Sequence, residues 1–253
     1  MADSLIDVGN GFYNIRGSFR IMGVVDIGTH MSLVRKADGR FVVLDGYTID
    51  GAVAEQVMDL TQGGEAVDAV LHLHPFHTIH VKATYERFPK AKHYGTVRHK
   101  RKAPGLPWED ETTDSEAMHG LFVDDLSFSV PKGVDFIPDD ENLHFASVLA
   151  VHRASKTLHV DDTLMFSKLP LVGGVSFHPT LKRVLQQRPG AVAEFREWAQ
   201  ELIALCEGVE HLCAAHTRPL LNVGSDGAPL AERVKRALKG VEGKLEAHEK
   251  AHG

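Results

Sequence analysis

The chain has 253 residues, 43% of them hydrophobic and 25% charged, enough for one large core and unlike a disordered or fibrous chain. A formal net charge of -6 opposes nucleic-acid binding, and the one basic run, "RHKRK" at 98–102, is followed by the acidic "EDETTDSE". Two cysteines, Cys206 and Cys213, are too few for a disulfide framework or a cysteine-rich zinc site, and with no long apolar run and no secretion-type start, the expectation is a cytoplasmic protein with no membrane contact.

The first elements read as strands. "GFYNIRGSFRIMG" and "THMSLVRKADGRFVVLD" are rich in β-branched and aromatic residues, and "ADG" marks a turn inside the second, which predicts a hairpin-rich N-terminal sheet. In "GAVAEQVMDLTQG", Val53, Val57 and Leu60 fall at helical spacing and Gly63 and Gly64 end the run. "AVDAVLHLH" is a nearly continuous apolar run of strand length, as expected of a strand buried on both faces. "VKATYERFP" is then a short helix and "AKHYGT" a short strand, while 97–120, polar and carrying Pro104 and Pro107, reads as a surface loop or lid. "LSFSVP", "VDFIP" and "HFASVLAVHRASKTLHVDDTLMF" restore strand character, with a turn at "RASK". Val192, Phe195, Trp198, Leu202 and Leu205 form one face of a helix, and Leu230, Val234, Leu238, Val241 and Leu245 form the stripe of a terminal helix at about 228–250. That helix packs on the body or meets a second copy of the chain, so a homo-oligomer stays open; with no repeat and no linker, residues 1–253 are expected to form a single domain.

Chemistry concentrates in "LHLHPFHTIH" at 71–80, at the end of the buried strand, where α/β proteins place their ligands. Alternate residues of an extended chain point the same way, so His72 and His74 can offer two imidazoles to one ion, and His77 follows after a bend. Zinc needs three or four such ligands, and the rest must come from elsewhere in the chain.

The motif "HLHPFH" resembles the HxHxDH marker of the metallo-β-lactamase-fold hydrolases, which include glyoxalase II and metal-dependent lactonases, with Phe76 in the place of the aspartate. "GRFVVLDGY" with Asp45 looks like that family's strand ending in an Asp-Thr-Gly turn, the segment from His144 to Phe166 looks like its His-Ser and Gly-Asp strands, and "CAAHTRPL" looks like its final His-Gly segment. The resemblance runs from roughly residue 11 to 222. It implies a four-layer αββα sandwich of two mixed β-sheets flanked by helices, and a metal centre drawn from His72, His74, His77, His144, Asp162 and His216. His72, His74 and His144 would form the first site; His77, His216 and the bridging Asp162 would form the second, which lacks its other carboxylate because a phenyl ring cannot ligate. Asp161 stands where the family has glycine, and Thr217 stands where glycine usually follows the last histidine.

The resemblance implies zinc, one or two ions, and hydrolysis of an ester, thioester, lactone or amide of a small-molecule substrate, with Asp162 as the catalytic residue that orients the attacking hydroxide. Two rival readings use the same fold: a mononuclear non-haem iron oxygenase acting on a thiol, with His72, His144 and Asp162 as ligands, or a non-catalytic binding protein, which Phe76 favours. The 97–120 segment and "SKLPLVGGVSFHPTL" at 167–181 are expected to wall the substrate pocket. His80 is read as a helix start with a reserve role as replacement ligand, His152 as a strand end, Asp161 as exposed or supporting, and His178, His248 and His252 as surface histidines.

Overall fold

The computed structural model describes residues 3–21, 24–167, 174–225 and 227–253. These fall into two compact units, unit 1 of residues 1–127 with 152–155 and unit 2 of residues 128–151 with 156–253.

Unit 1 is built on one sheet. Its strands β1 (Ser4–Gly9) and β2 (Phe12–Gly17) are joined by Gly9, Asn10 and Gly11, all at positive φ, as a tight hairpin requires. A small antiparallel pair follows, β3 (Arg20–Ile21) with β4 (Val25–Asp26). Strands β5 (Thr29–Arg35) and β6 (Phe41–Leu44) form the hairpin predicted around "ADG", with Gly39 at φ +87° and Lys36 N–H donating to the Arg40 carbonyl at 2.7 Å. Helix α1 (Gly51–Leu60) buries Val53, Ala54 and Val57 and gives way to Gln62, Gly63 and Gly64 at positive φ. Strand β7 (Val67–Leu71), helix α2 (Val81–Arg87) and strand β8 (Lys92–Tyr94) complete the sheet in the order β1-β2-β5-β6-β7-β8, antiparallel up to β6 and parallel from β6 to β8. Ile15, Leu33, Val43, Val57, Val70 and Phe88 lie in its core.

The segment expected as a surface loop is instead folded into unit 1. It contains α3 (Val97–Lys102) and α4 (Glu116–Leu121), and Arg98, His99, Thr113 and Met118 are buried. The two prolines fall between the helices, and a capping box starts α3: Thr96 Oγ1 accepts from His99 N–H while His99 Nδ1 accepts from Thr96 N–H.

Strand β9 (Leu126–Ser129) is divided between the units and β10 (Leu149–His152) belongs to unit 2 up to Val151; unit 2 also carries β11 (Thr157–Val160), the antiparallel pair β12 (Leu164–Ser167) and β13 (Gly174–Phe177), short helix α5 (Leu181–Val184), α6 (Ala191–Leu205), β14 (His211–Ala214) and α7 (Leu230–His252). The second sheet runs β14-β11-β10-β9, with β11 parallel to β14. The "VDFIP" segment forms no strand; Val134 makes only an isolated bridge to Leu185. The apolar face of α6 buries Val192, Phe195, Trp198 and Leu202, and α7 packs against it with Val234, Leu238, Val241 and Leu245 inward. His248, expected at the surface, is buried on the same face and its Nε2 lies 3.0 Å from the Gln186 carbonyl. Residues 168–173 of the expected pocket wall lie outside the described residues; of the rest, Ser167 ends β12, 174–177 form β13, and 178–180 lead into α5 at Leu181. Cys206 and Cys213 are buried, and among the described residues neither is in a disulfide. Among the described residues, no helix is long and apolar enough to cross a membrane.

Candidate metal centre

In unit 1, the chain leaves β7 at Leu71 and the histidine motif follows without regular structure. Asp45, at the end of β6, fixes its course: Asp45 N–H donates to the Leu71 carbonyl at 2.8 Å, and Oδ1 accepts Leu73 N–H at 2.8 Å and His74 N–H at 3.4 Å. A buried carboxylate thus satisfies backbone donors that the sheet no longer can. Asp45 holds φ +57°, a conformation aspartate tolerates better than most residues.

The structure separates the first motif histidine from the other two. His74 and His77 stack with ring centroids 4.0 Å apart, and a ligating atom of His77 lies within 4.8 Å of one on His74 and of a carboxylate oxygen of Asp45. Phe76 N–H donates to His74 Nδ1 at 3.1 Å, so a metal on His74 would displace either that bond or the Nε2 proton. His72 is fully buried, its ring 5.9 Å from that of His93, 5.3 Å from that of His99 and edge-on to Trp108. Among the described residues, neither nitrogen of His72 has a hydrogen-bond partner. Burial, then the neighbouring imidazoles of His99 and His93, hold His72 neutral, its pKa well below the usual histidine value. His80 begins α2 and its Nδ1 lies 2.8 Å from Thr48 Oγ1; burial pushes its pKa down to about 4.

Phe76 is buried, and the Arg98 guanidinium lies 4.5 Å from its ring centre. Where the resemblance would place a carboxylate, this chain therefore has a phenyl ring covered by a cation.

In unit 2, the buried Asp162 follows β11 and turns its two oxygens to different imidazoles. Oδ1 is 2.8 Å from His216 Nε2, and Oδ2 is 3.6 Å from His144 Nδ1. His144 Nε2 lies 2.9 Å from the Glu141 carbonyl, which can only accept, so Nε2 carries a proton. At 3.6 Å, His144 Nδ1 and Asp162 Oδ2 lie at ion-pair rather than hydrogen-bond distance. A tetrahedral zinc ion with N and O ligands at about 2.0–2.2 Å would hold two such atoms about 3.4 Å apart, so the pair fits a cation between them. Thr163 braces the surrounding chain: its Oγ1 donates to the Phe145 carbonyl at 2.8 Å and accepts Ser147 N–H at 3.1 Å.

Asp161 is buried, not exposed, with a carboxylate oxygen within 4.8 Å of a ring nitrogen of His159. His178 is half-buried, and burial lowers its pKa while the charge of Asp162 raises it. No spacing rule in the sequence singled it out, because it lies 16 residues beyond Asp162. His152 ends β10 and its Nδ1 is 2.8 Å from Ser155 Oγ.

No protein-family model matches the chain, and no curated protein matches it in sequence. Solved structures do match. The metallo-β-lactamase FIM-1 from Pseudomonas aeruginosa, in its mono-zinc form, superposes with a TM-score of 0.61 at 11% identity, over 95% of this chain and 96% of that one. The metallo-β-lactamase from Erythrobacter litoralis with β-mercaptoethanol in its active site gives 0.59 at 13% identity, over 98% and 96%. The metallo-β-lactamase from Hirschia baltica gives 0.59 at 12%, over 94% and 96%. The class these likenesses define is one of fold: the chain has the α/β metallo-β-lactamase fold, with two mixed sheets and flanking helices.

Proposed function

We propose that the protein is a metal-dependent hydrolase that holds zinc and cleaves an ester, thioester, lactone or amide bond in a small-molecule substrate. The observation that carries this reading is Asp162, with His216 Nε2 2.8 Å from one carboxylate oxygen and His144 Nδ1 3.6 Å from the other, on a fold shared with metallo-β-lactamases. Within unit 2, His144, Asp162 and His216 would hold an ion; within unit 1, taken by itself, the candidates are His74 and His77. His72, part of the set the resemblance implied, is packed among His93, His99 and Trp108 and is the weakest member. Zinc would lower the pKa of water towards about 7 and polarise the carbonyl under attack. The buried carboxylate of Asp162 would accept a hydrogen bond from the attacking water and fix its direction. The guanidinium over Phe76 adds positive charge where the family's second-site carboxylate would stand, which favours one ion over two.

A second reading draws support from the same residues. Two imidazoles and one carboxylate, His144, His216 and Asp162, also suit a mononuclear iron that oxidises a thiol with dioxygen. Elemental analysis of the purified, tag-free protein separates the two, with Asp162→Asn as control. Zinc near one equivalent, lost in the control and accompanied by turnover in an ester and lactone screen, is the expected result. Iron with thiol-dependent oxygen uptake would move the assignment to the oxygenase, and no metal after reconstitution would overturn both. A cytoplasmic location is part of the proposal, tested by fractionation, and light scattering decides between a monomer and a homo-oligomer.

A further inference from the structure

Beyond the end of β7, His72 N–H still reaches the Tyr94 carbonyl at 2.9 Å, but the next peptide group is held by side chains. The bond joining His72 to Leu73 is gripped at both polar atoms: its N–H donates to Asp45 Oδ1 at 2.8 Å, and its carbonyl accepts from Thr113 Oγ1 at 2.9 Å. Thr113 is fully buried, and its one hydroxyl proton is used in this bond. The turn before α4 fixes Thr113 in turn: Ser115 N–H donates to the Thr112 carbonyl at 3.0 Å, Ser115 Oγ accepts Met118 N–H at 3.2 Å, and His119 Nε2 lies 2.9 Å from the Thr113 carbonyl. The same 97–120 segment reaches the motif again through Arg98, whose Nη1 donates to the Pro75 carbonyl at 3.3 Å. The two carbonyls that accept from this segment, those of His72 and Pro75, bracket His74 in the chain.

We propose that Thr113 is a positioning residue for the metal candidates His74 and His77, and that the 97–120 segment is the clamp that sets the backbone of the histidine motif. The inference rests on the reading of His74 and His77 as unit 1 ligands. It gives the segment a role other than the pocket wall expected from the sequence. Ligand atoms must be held to within about 0.5 Å of their working positions, and a motif outside regular structure has no ladder to do this. The peptide plane between His72 and Leu73 sets the direction in which the chain enters His74, and Asp45 and Thr113 hold that plane from opposite ends. With one of them lost, the plane can rotate about the other. His77 moves with it, because its N–H donates to the His74 carbonyl at 3.0 Å. Thr113 therefore acts on the imidazoles through the backbone, without ligating.

The test is zinc binding to the full chain by competition with a chromophoric chelator, beside urea unfolding of the metal-free protein. Thr113→Val, which deletes the hydroxyl at nearly constant volume, is expected to weaken zinc about 10-fold, while Thr113→Ser, which keeps the hydroxyl, stays within about 2-fold of the wild type. A bond that serves stability alone would lower the urea midpoint of Thr113→Val and leave its zinc affinity at the wild-type value. That result would overturn the inference and leave the proposed function standing. Equal zinc losses in the valine and serine variants would also overturn it, because packing and not the hydroxyl would then set the site. A wild-type protein that binds no zinc would overturn both. Should Thr113→Val not fold, Thr113→Ala takes its place with the same expected loss, and an alanine variant with wild-type affinity counts against the role.

Discussion

The Arg98 guanidinium sits 4.5 Å from the centre of the Phe76 ring, and Arg98 Nη1 donates to the Pro75 carbonyl at 3.3 Å. Both residues are buried, so the positive charge is weakly screened and repels a further cation in its neighbourhood. Phe76→Asp alone should therefore leave the metal content unchanged, because the new carboxylate pairs with Arg98. The double variant Phe76→Asp, Arg98→Met should gain about one equivalent of zinc per chain. Elemental analysis of the two variants side by side decides it, and an equal gain in both would show that the guanidinium is not the barrier.

Much of this architecture is legible in the sequence where local patterns and burial agree. The hairpin around Gly39, the buried β7 run, and the apolar faces of α6 and α7 follow from periodicity and turn residues alone. The 97–120 segment misleads because its charges suggest solvent, whereas Arg98 and His99 turn inward, Arg98 to the Pro75 carbonyl and His99 Nδ1 into the α3 capping box. His248 misleads for a related reason: a polar residue near the end of a stripe can stay buried if one carbonyl, here that of Gln186, meets it. At the site, the sequence pairs His72 with His74 by strand alternation, but β7 ends at Leu71 and the alternation ends with it. His178 and Thr180 are invisible to spacing rules because their relation to His144 is a tertiary hydrogen bond.

Asp45 is expected to be a structural keystone for the histidine segment. Asp45→Ala leaves the buried N–H of Leu73 without its acceptor and forces alanine into a positive φ, at an expected cost of about 2–4 kcal/mol. Asp45→Asn keeps an acceptor oxygen and tolerates the backbone, so its cost should be about 1 kcal/mol. Urea unfolding of the two variants measures the difference; equal costs would mean that the Leu73 and His74 donors find other partners.

Trp198 anchors the unit 2 core through its ring and its indole N–H. The ring meets Phe195 at 5.3 Å and Phe177 at 6.1 Å between centroids, and Nε1–H donates to Ser129 Oγ at 2.8 Å. Trp198→Ala should cost about 3–5 kcal/mol through the cavity it leaves, and Trp198→Phe, which keeps most of the ring but not the donor, about 1–2 kcal/mol. Chemical denaturation followed by circular dichroism tests both, and a cost below 1 kcal/mol for the alanine variant would mean that the core closes over the gap.

His99 should make the fold sensitive to mild acid. Burial holds its pKa at about 3 in the folded protein, against an ordinary value of 6.5, and burial likewise lowers that of His93. Below pH 6.5 the unfolded chain takes up a proton that the folded chain refuses until about pH 3, so the contribution of His99 to stability is complete above 6.5 and is lost progressively as the pH falls through that window. One such group adds a slope of about 1.4 kcal/mol per pH unit. His99→Leu removes the acceptor for Thr96 N–H in the α3 capping box, so the variant should be about 1 kcal/mol less stable than the wild type at pH 8. It should nevertheless lose stability more slowly between pH 6.5 and 4, so that the two curves converge and then cross. Denaturation midpoints at pH 8, 6 and 5 test the crossing, and parallel curves would show that the acid sensitivity lies with other groups.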